Sequence, residues 1–131
     1  MSPRTSAWRW VELVTLYAIH DRLIAEHGGI PGIRDRAMIE SAMARPLHQA
    51  VYGKPDAADL AASYAFGLAR NHGFFDGNKR VAWTVARLFL LDNGLHLNFA
   101  AMDAILAVEG LAAGAITQKQ FAGWIRKRLL P

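Results

Sequence analysis

Apolar residues recur at helical spacing over most of this chain. Between residues 56 and 71 they return at steps of three and four, and the same period runs from Val81 to Phe89. Asp56 follows Pro55 and can cap the first stretch, whereas Asn93 and the glycine after it form a stop signal for the second. The pattern therefore predicts two helices joined by a short turn at residues 72–80.

The same reasoning predicts four more helices, over residues 10–27, 35–44, 102–113 and 117–130. Thr117 with Gln120 reads as a capping box, and Asp35 as an N-cap. Because proline lacks a backbone donor, we expect the second helix to stop before Pro46 and residues 46–55 to form a loop or flap. Residues 95–99 alternate apolar and polar, which predicts a short extended piece.

These elements predict an all-α fold without a β-sheet. A length of 131 residues suits one hydrophobic core. We therefore expect a compact single-domain bundle of about six helices over residues 1–131, with the turn at residues 72–80 lying between two central helices.

Composition narrows the class of protein. The chain has no cysteine, which excludes a disulfide framework, and Trp8, Arg9, Trp10 and Glu12 interrupt any apolar leader. No stretch approaches the roughly 20 apolar residues of a membrane span. A cytoplasmic protein is the expectation. The net charge of +4 suggests an acidic partner more than nucleic acid, because the cations are scattered rather than aligned in one basic stripe.

Residues 72–80, HGFFDGNKR, carry the candidate chemistry. Gly77, Asn78, Lys79 and Arg80 fall at a predicted helix N-terminus, where backbone N–H groups without helical partners attract anions. Gly77 lets a phosphate approach the backbone, and the two cations add side-chain charge. Asn78 either orients a phosphate oxygen or caps the helix. We expect this anion cradle to bind a nucleotide, with Phe74 counted among the binding residues as the apolar peg that fixes the turn.

Two residues of the turn suit catalysis. His72 ends the preceding helix, and histidine is the natural general base for taking a proton from a hydroxyl near neutral pH. Asp76 offers a hard oxygen ligand, and magnesium binds one or two carboxylates together with phosphate and water oxygens. With Lys79 and Arg80, these groups predict phosphoryl or nucleotidyl transfer from ATP with Mg²⁺, a chemistry of positioning and charge stabilisation.

The string H-x-F-x-D-G-N-K-R resembles the signature of the Fic/Doc superfamily, and Lys79 makes it similar to the Doc (death on curing) branch. The stretches at residues 20–46 and 88–97 also resemble Doc proteins. Fic adenylyltransferases are similar but have glycine at the position of Lys79 and a second arginine at that of Trp83. The resemblance implies an inverted nucleotide that presents its γ-phosphate, and thus a kinase that phosphorylates a protein hydroxyl.

By the same resemblance, the protein would be the toxin of a toxin–antitoxin module. The target would be a threonine of the elongation factor that delivers aminoacyl-tRNA, so translation would stop. The partner would be a small antitoxin with a disordered tail. Many Fic proteins carry an inhibitory motif [S/T]xxxE[G/N]. Glu109 is followed by glycine here, but Ile105 occupies the position where the motif requires serine or threonine, so the motif is not met. Restraint in trans is therefore expected.

Two alternatives remain open. One is protein AMP transfer on the same fold, and the other is a non-enzymatic basic helical module that binds nucleic acid or a peptide.

Several residues outside the turn have no settled role. His20, Asp21 and His27 do not have the spacing of metal ligands on a helix. Arg34 and Asp35 could belong to a functional site, but an ion pair between them that fixes a turn would explain both residues equally well.

Overall fold

A computed structural model describes residues 7–131, in which the chain forms six α-helices and no β-sheet. The helices are α1 (Leu13–His27), α2 (Arg36–Tyr52), α3 (Ala57–Asn71), α4 (Asn78–Asp92), α5 (Ala101–Ala113) and α6 (Gln118–Arg126). The all-α prediction is confirmed. Residues 1–6 of the predicted domain lie outside the described residues. Within residues 7–131, no helix is both long and apolar enough to cross a lipid bilayer.

Helix α3 lies at the centre of the bundle and contacts α2, α4, α5 and α6. Its buried face is rich in alanine, and small side chains allow neighbouring helices to approach closely. The packing is tight at Gly67, where an added Cβ would lie 2.9 Å from Cα of Ala42 on α2. A side chain at position 67 would push α2 away from α3.

The predicted end of the second helix at Ala44 is wrong, because α2 continues through Pro46 to Tyr52. Pro46 cannot donate to the carbonyl of Ala42, four residues earlier. That carbonyl faces Gly67 across the tight crossing with α3, and the proline ring is buried. Burial against the core thus outweighs the lost hydrogen bond. The loop or flap predicted for residues 46–55 shrinks to the short connection after Tyr52.

Two helix ends differ from the sequence-based boundaries. Helix α1 begins at Leu13 rather than Trp10, because its N-cap Glu12 is extended and the N–H of Val11 donates to the hydroxyl of Tyr64 at 3.0 Å. Burial raises the pKa of that phenol to about 12. Helix α6 ends at Arg126 rather than Leu130, because Leu129 forms an antiparallel bridge with Leu97. The bridge confirms the extended piece expected at residues 95–99.

The predicted caps are confirmed. Asp35 accepts a hydrogen bond from Met38 N–H at the start of α2, and Thr117 forms a capping box with Gln120 at the start of α6. Asp56 caps α3, as expected.

The carboxylate of Asp56 also takes part in an ion-pair network that joins α3 to α6. It accepts from Nε of Arg126 at 2.8 Å, and a second guanidinium nitrogen reaches Asp59 at 2.9 Å. These bonds, above all the one from Arg126, hold the pKa of Asp56 at about 2, below its ordinary 3.8. The network fixes the end of α6 against the start of α3.

Candidate active site

The turn at residues 72–80 leaves α3 and enters α4 through two left-handed residues. His72 ends α3 with φ 50° and ψ 48°, and it is the one non-glycine residue with positive φ among residues 7–131. Gly77 precedes α4 with φ 80°. A left-handed conformation is easy for glycine but uncommon for an L-residue such as histidine, for which it costs about 1–2 kcal/mol. The surroundings must therefore hold His72 in place.

The start of α4 has the backbone arrangement expected for an anion cradle. Helix α4 begins at Asn78, and the first hydrogen bond to enter it runs from Val81 N–H to the Gly77 carbonyl at 2.9 Å. The N–H groups of Asn78, Lys79 and Arg80 therefore have no helical partner and point out of the N-terminus. Lys79 and Arg80 are exposed beside them. No acidic side chain offsets this charge in the first turn of α4.

The side chain of Asn78 takes neither of the two roles expected for it. Its Nδ2 donates to the Phe74 carbonyl at 2.9 Å, and its Oδ1 accepts from Phe74 N–H at 3.1 Å. The amide is buried and provides no cap for α4. Asn78 thus closes the turn with its side chain, and only its backbone N–H belongs to the cradle.

Phe74 is the apolar peg that the sequence suggested. Its ring is buried in the core, stacks on His20 at 3.7 Å between ring centroids and meets Tyr17 edge-on. The ring does not line the groove that runs between α4 and α5. Phe74 therefore holds the turn from beneath, and it is not placed to contact a bound nucleotide.

His20, which the sequence left without a role, holds the turn from α1. Its side chain is buried, and Nε2 donates to the backbone carbonyl of Asp76 at 2.8 Å. Together with the stack on Phe74, this bond ties two residues of the turn to α1. Because the contact joins positions 56 apart in the chain, no local pattern in the sequence signals it.

Asp76 presents one carboxylate near the cradle. Its Oδ2 accepts a hydrogen bond from Ile30 N–H at 2.6 Å, which fixes the orientation of the group. Residues 7–131 contain no cluster of three or more acidic, histidine or cysteine side chains that would cage a metal by themselves. A single oriented carboxylate does fit magnesium that takes its remaining ligands from phosphate and water.

A groove of about 880 Å³ runs over the turn and between α4 and α5. Six of the seven predicted site residues line it: His72, Asp76, Gly77, Asn78, Lys79 and Arg80. Its far wall is the apolar face of α5, including Ala104, Ile105 and Val108. The volume is within the usual range for a small-molecule site.

Further along the groove lie three residues that the sequence did not assign to the site. Arg87 is 5.9 Å from the ring centroid of Trp83 and 5.1 Å from that of Phe99, and all three line the groove. Trp83 also packs edge-on against Phe121 and Trp124. Trp83 thus lines the groove and also packs against the aromatic residues of α6. The i, i+4 spacing of Trp83 and Arg87 on one helix face is the signal that could have revealed this end of the site.

The segment between α1 and α2 folds directly onto the turn. Arg34 Nε donates to the His72 carbonyl at 2.6 Å, and the backbone N–H groups of Arg34 and Asp35 both donate to the Gly73 carbonyl, at 2.8 and 2.9 Å. No ion pair joins Arg34 to Asp35 in this part of the chain. Residues 29–39 are called the clamp segment below.

Comparison with known proteins identifies the family of this chain. A sequence model of the Fic/DOC family matches residues 10–90, which include the clamp segment and the whole turn. The chain is 35% identical to "Protein kinase doc" of Escherichia phage P1 over 113 residues, which cover 86% of this chain and 89% of that protein. It is 45% identical to "Toxin Doc" of Mycolicibacterium smegmatis over 73 residues, 53% of this chain and 55% of that protein. With the HxFxDGNKR turn built as described, this chain belongs to the Fic/DOC family, in its Doc branch.

Proposed function

We propose that this chain is the toxin of a toxin–antitoxin module and a protein kinase that transfers the γ-phosphate of ATP to a hydroxyl group of a translation elongation factor. One observation carries the catalytic part of the proposal. His72 and the positively charged N-terminus of α4 line the same groove, so that a base and a phosphate cradle face one volume. The relative named "Protein kinase doc" supports the reaction type.

In the proposed reaction, His72 takes the proton from the attacking hydroxyl. Its side chain is exposed at the groove and makes no hydrogen bond to any other described residue. The imidazole is therefore accessible to a substrate hydroxyl entering from solvent. The oxygen of that hydroxyl forms the new bond to the γ-phosphorus, and ADP leaves with the electrons of the broken phosphoanhydride bond.

The start of α4 would hold the transferred group. Three N–H groups and the side chains of Lys79 and Arg80 supply donors and positive charge where negative charge develops. Lys79 would also crowd the site at which the smaller glycine of Fic adenylyltransferases leaves room for an α-phosphate. The nucleotide would then bind with its γ-phosphate toward His72.

Asp76 is the proposed magnesium ligand. Its carboxylate is oriented by Ile30 N–H, and it lines the groove beside Gly77. When bound, a magnesium ion would neutralise part of the charge on the β- and γ-phosphates. The protein's own contribution is to keep this carboxylate fixed beside the cradle.

AMP transfer remains the second candidate, because family membership alone does not distinguish the two reactions. The observation bearing on the choice is Trp83, which lines the groove in place of the second arginine of Fic adenylyltransferases. Without that arginine, the pose that exposes the α-phosphate loses one of its cations. Phosphoryl transfer is therefore the favoured reaction.

The proposed partners are an elongation factor as substrate and a small antitoxin as inhibitor. The name "Toxin Doc" of a relative supports the module, whereas the threonine of the elongation factor rests on resemblance alone. Lys79, Arg80 and Arg87 give the groove a basic side, and Ile105 gives it an exposed apolar side. Such a surface suits an acidic, partly apolar peptide.

The reaction can be tested with ATP labelled at either the α- or the γ-phosphate. Purified protein is incubated with magnesium and candidate elongation factor, and the product is analysed by autoradiography and intact mass spectrometry. Transfer of γ-label and a phosphate adduct is the expected result. Transfer of α-label with an AMP adduct would instead establish the second candidate.

His72→Ala protein serves as the catalytic control, because it removes the proposed base and leaves the cradle. If neither label is transferred, and His72→Ala leaves growth arrest on expression unchanged, the catalytic proposal is wrong. A non-enzymatic binding module would then be the remaining interpretation.

A further inference from the structure

The backbone around His72 needs external support. His72 has positive φ without being glycine, and it follows the last turn of α3, whose final carbonyls have no partner inside the helix. Both features are unfavourable unless nearby groups satisfy them. The conformation nevertheless sets the direction in which the imidazole leaves the backbone.

One arginine supplies that support. Arg34 Nε donates to the His72 carbonyl at 2.6 Å, and a second guanidinium nitrogen lies 3.4 Å from the Asn71 carbonyl. The backbone N–H of the same residue donates to the Gly73 carbonyl at 2.8 Å. Three successive carbonyls, on both sides of the strained residue, are therefore held by Arg34.

The chemistry of this contact is specific to arginine. A guanidinium at the C-terminus of α3 interacts favourably with the helix dipole, and its planar fork carries several donors in fixed directions. Lysine offers one compact ammonium group and cannot reproduce the fork. Arg34 itself does not line the groove, so any effect on the reaction passes through the backbone of residues 71–73 that it holds.

We infer that Arg34 is a positioning residue, which locks the left-handed backbone of His72 and thereby aims its imidazole into the groove. The catalytic half of this inference rests on the proposed role of His72 as the base. The structural half does not, because it concerns only the backbone of residues 71–73.

The test compares Arg34→Gln and Arg34→Lys with Arg22→Gln, in the full-length protein. Arg22 is an exposed arginine paired with Glu26 on α1, and among residues 7–131 no hydrogen bond or ion pair joins it to the turn. NMR of ¹³C,¹⁵N-labelled protein reports the backbone of His72 through its Cα and Hα shifts and its HN–Hα coupling. We expect these signals to move in Arg34→Gln and to stay unchanged in Arg22→Gln.

Kinetics provide the second readout. We expect kcat for the transferred group to fall by up to about 100-fold in Arg34→Gln, because a small misplacement of a catalytic group has an effect of that order. KM for ATP should change by less than about threefold, since the cradle is built by α4. Arg34→Lys should recover only part of kcat, and added guanidinium ion should recover part of it in Arg34→Gln.

These measurements distinguish the positioning role of Arg34 from the proposed kinase function. Unchanged His72 signals in folded Arg34→Gln would overturn the inference, and so would an equal loss of kcat in Arg34→Gln and Arg22→Gln. Moved signals support the positioning role even where wild-type protein transfers no phosphate, and in that case the proposed function fails alone.

Discussion

The two ends of the turn at residues 72–80 are built in different ways. The His72 end is held from outside, by Arg34 and by the buried packing of Gly73 against Ile39. The Arg80 end is built mainly from within, because Gly77 and the first turn of α4 expose the N–H groups by local geometry. The tertiary contacts of His20 and Ile30 act one residue earlier, at Asp76. The proposed base therefore depends on the tertiary fold, whereas the proposed phosphate site depends mainly on one helix terminus.

This difference predicts that damage at the two ends will affect different steps. Substitutions on the His72 side should reduce turnover, because they remove or misplace the base. Those on the α4 side should weaken binding of the nucleotide, because they remove charge from the cradle.

The largest effect is expected for His72→Ala. Loss of a general base lowers rates by roughly 10²- to 10⁴-fold, and nucleotide affinity should hardly change, because the cradle remains. Single-turnover kinetics and equilibrium nucleotide binding measure the two quantities. His96→Ala, an exposed histidine away from the groove, is the matched control. A large loss of affinity in His72→Ala would contradict the division between the two ends.

Arg80→Gln tests the other end. A charge-assisted hydrogen bond contributes about 1.5–3 kcal/mol, so we expect KM and Kd for ATP to rise by roughly 10- to 100-fold. Binding should also become less sensitive to salt, because one cation has been removed. Isothermal titration at two ionic strengths measures both. An unchanged Kd would show that Arg80 does not contact the phosphates.

Gly73→Ala tests how tightly the clamp segment packs on the His72 end. A Cβ at position 73 would overlap Cγ1 of Ile39 and lie 3.2 Å from its backbone nitrogen. We expect the free energy of unfolding to fall by about 1–3 kcal/mol, as measured by urea denaturation.

Two variants control this experiment. A Cβ added at Gly123 on α6 would meet no atom within 4 Å. Gly123→Ala should therefore stabilise the protein by roughly 0.5–1 kcal/mol. In the double variant Gly73→Ala/Ile39→Ala, the loss in free energy of unfolding should be smaller than the sum of the losses in the two single variants, because the two side chains occupy the same space. Additive losses would show that the overlap is relieved elsewhere.

The smallest effect is expected far from both ends, at the ion-pair network of Arg126. Its partner Asp56 is half exposed, so Arg126→Gln should lower stability by about 1 kcal/mol or less at pH 7. The folded pKa of Asp56, about 2, lies below its ordinary 3.8. The stabilisation is therefore present above about pH 4 and is lost as pH falls toward 2.

Urea denaturation of wild type and Arg126→Gln at pH 7 and at pH 2 measures this dependence. The difference between the two proteins should shrink at the lower pH, and kcat should be the same in both. A difference that persists at pH 2 would mean that Arg126 stabilises the fold through packing rather than charge.

Sequence reasoning located the turn because its signals are local. Capping residues, glycines and the helical period fix where α3 ends and α4 begins, and they placed Lys79 and Arg80 at the N-terminus of α4. The failures at Pro46 and Asn78 have another cause. Pro46 stays in a helix because it is buried beside the crossing of α2 and α3, and Asn78 turns inward because the Phe74 backbone offers it two partners.

Local signals in the sequence were enough to place the six helices approximately and to find the HxFxDGNKR turn with its resemblance to the Fic/Doc superfamily, because propensities, caps and motif spacing act over a few residues. The tertiary structure alone decided what holds the turn: His20 on the Asp76 carbonyl, Arg34 on the His72 carbonyl and Ile30 on the Asp76 carboxylate. These contacts join residues about forty to sixty positions apart, and only the packing of α1 and the clamp segment against the turn brings them within hydrogen-bonding distance.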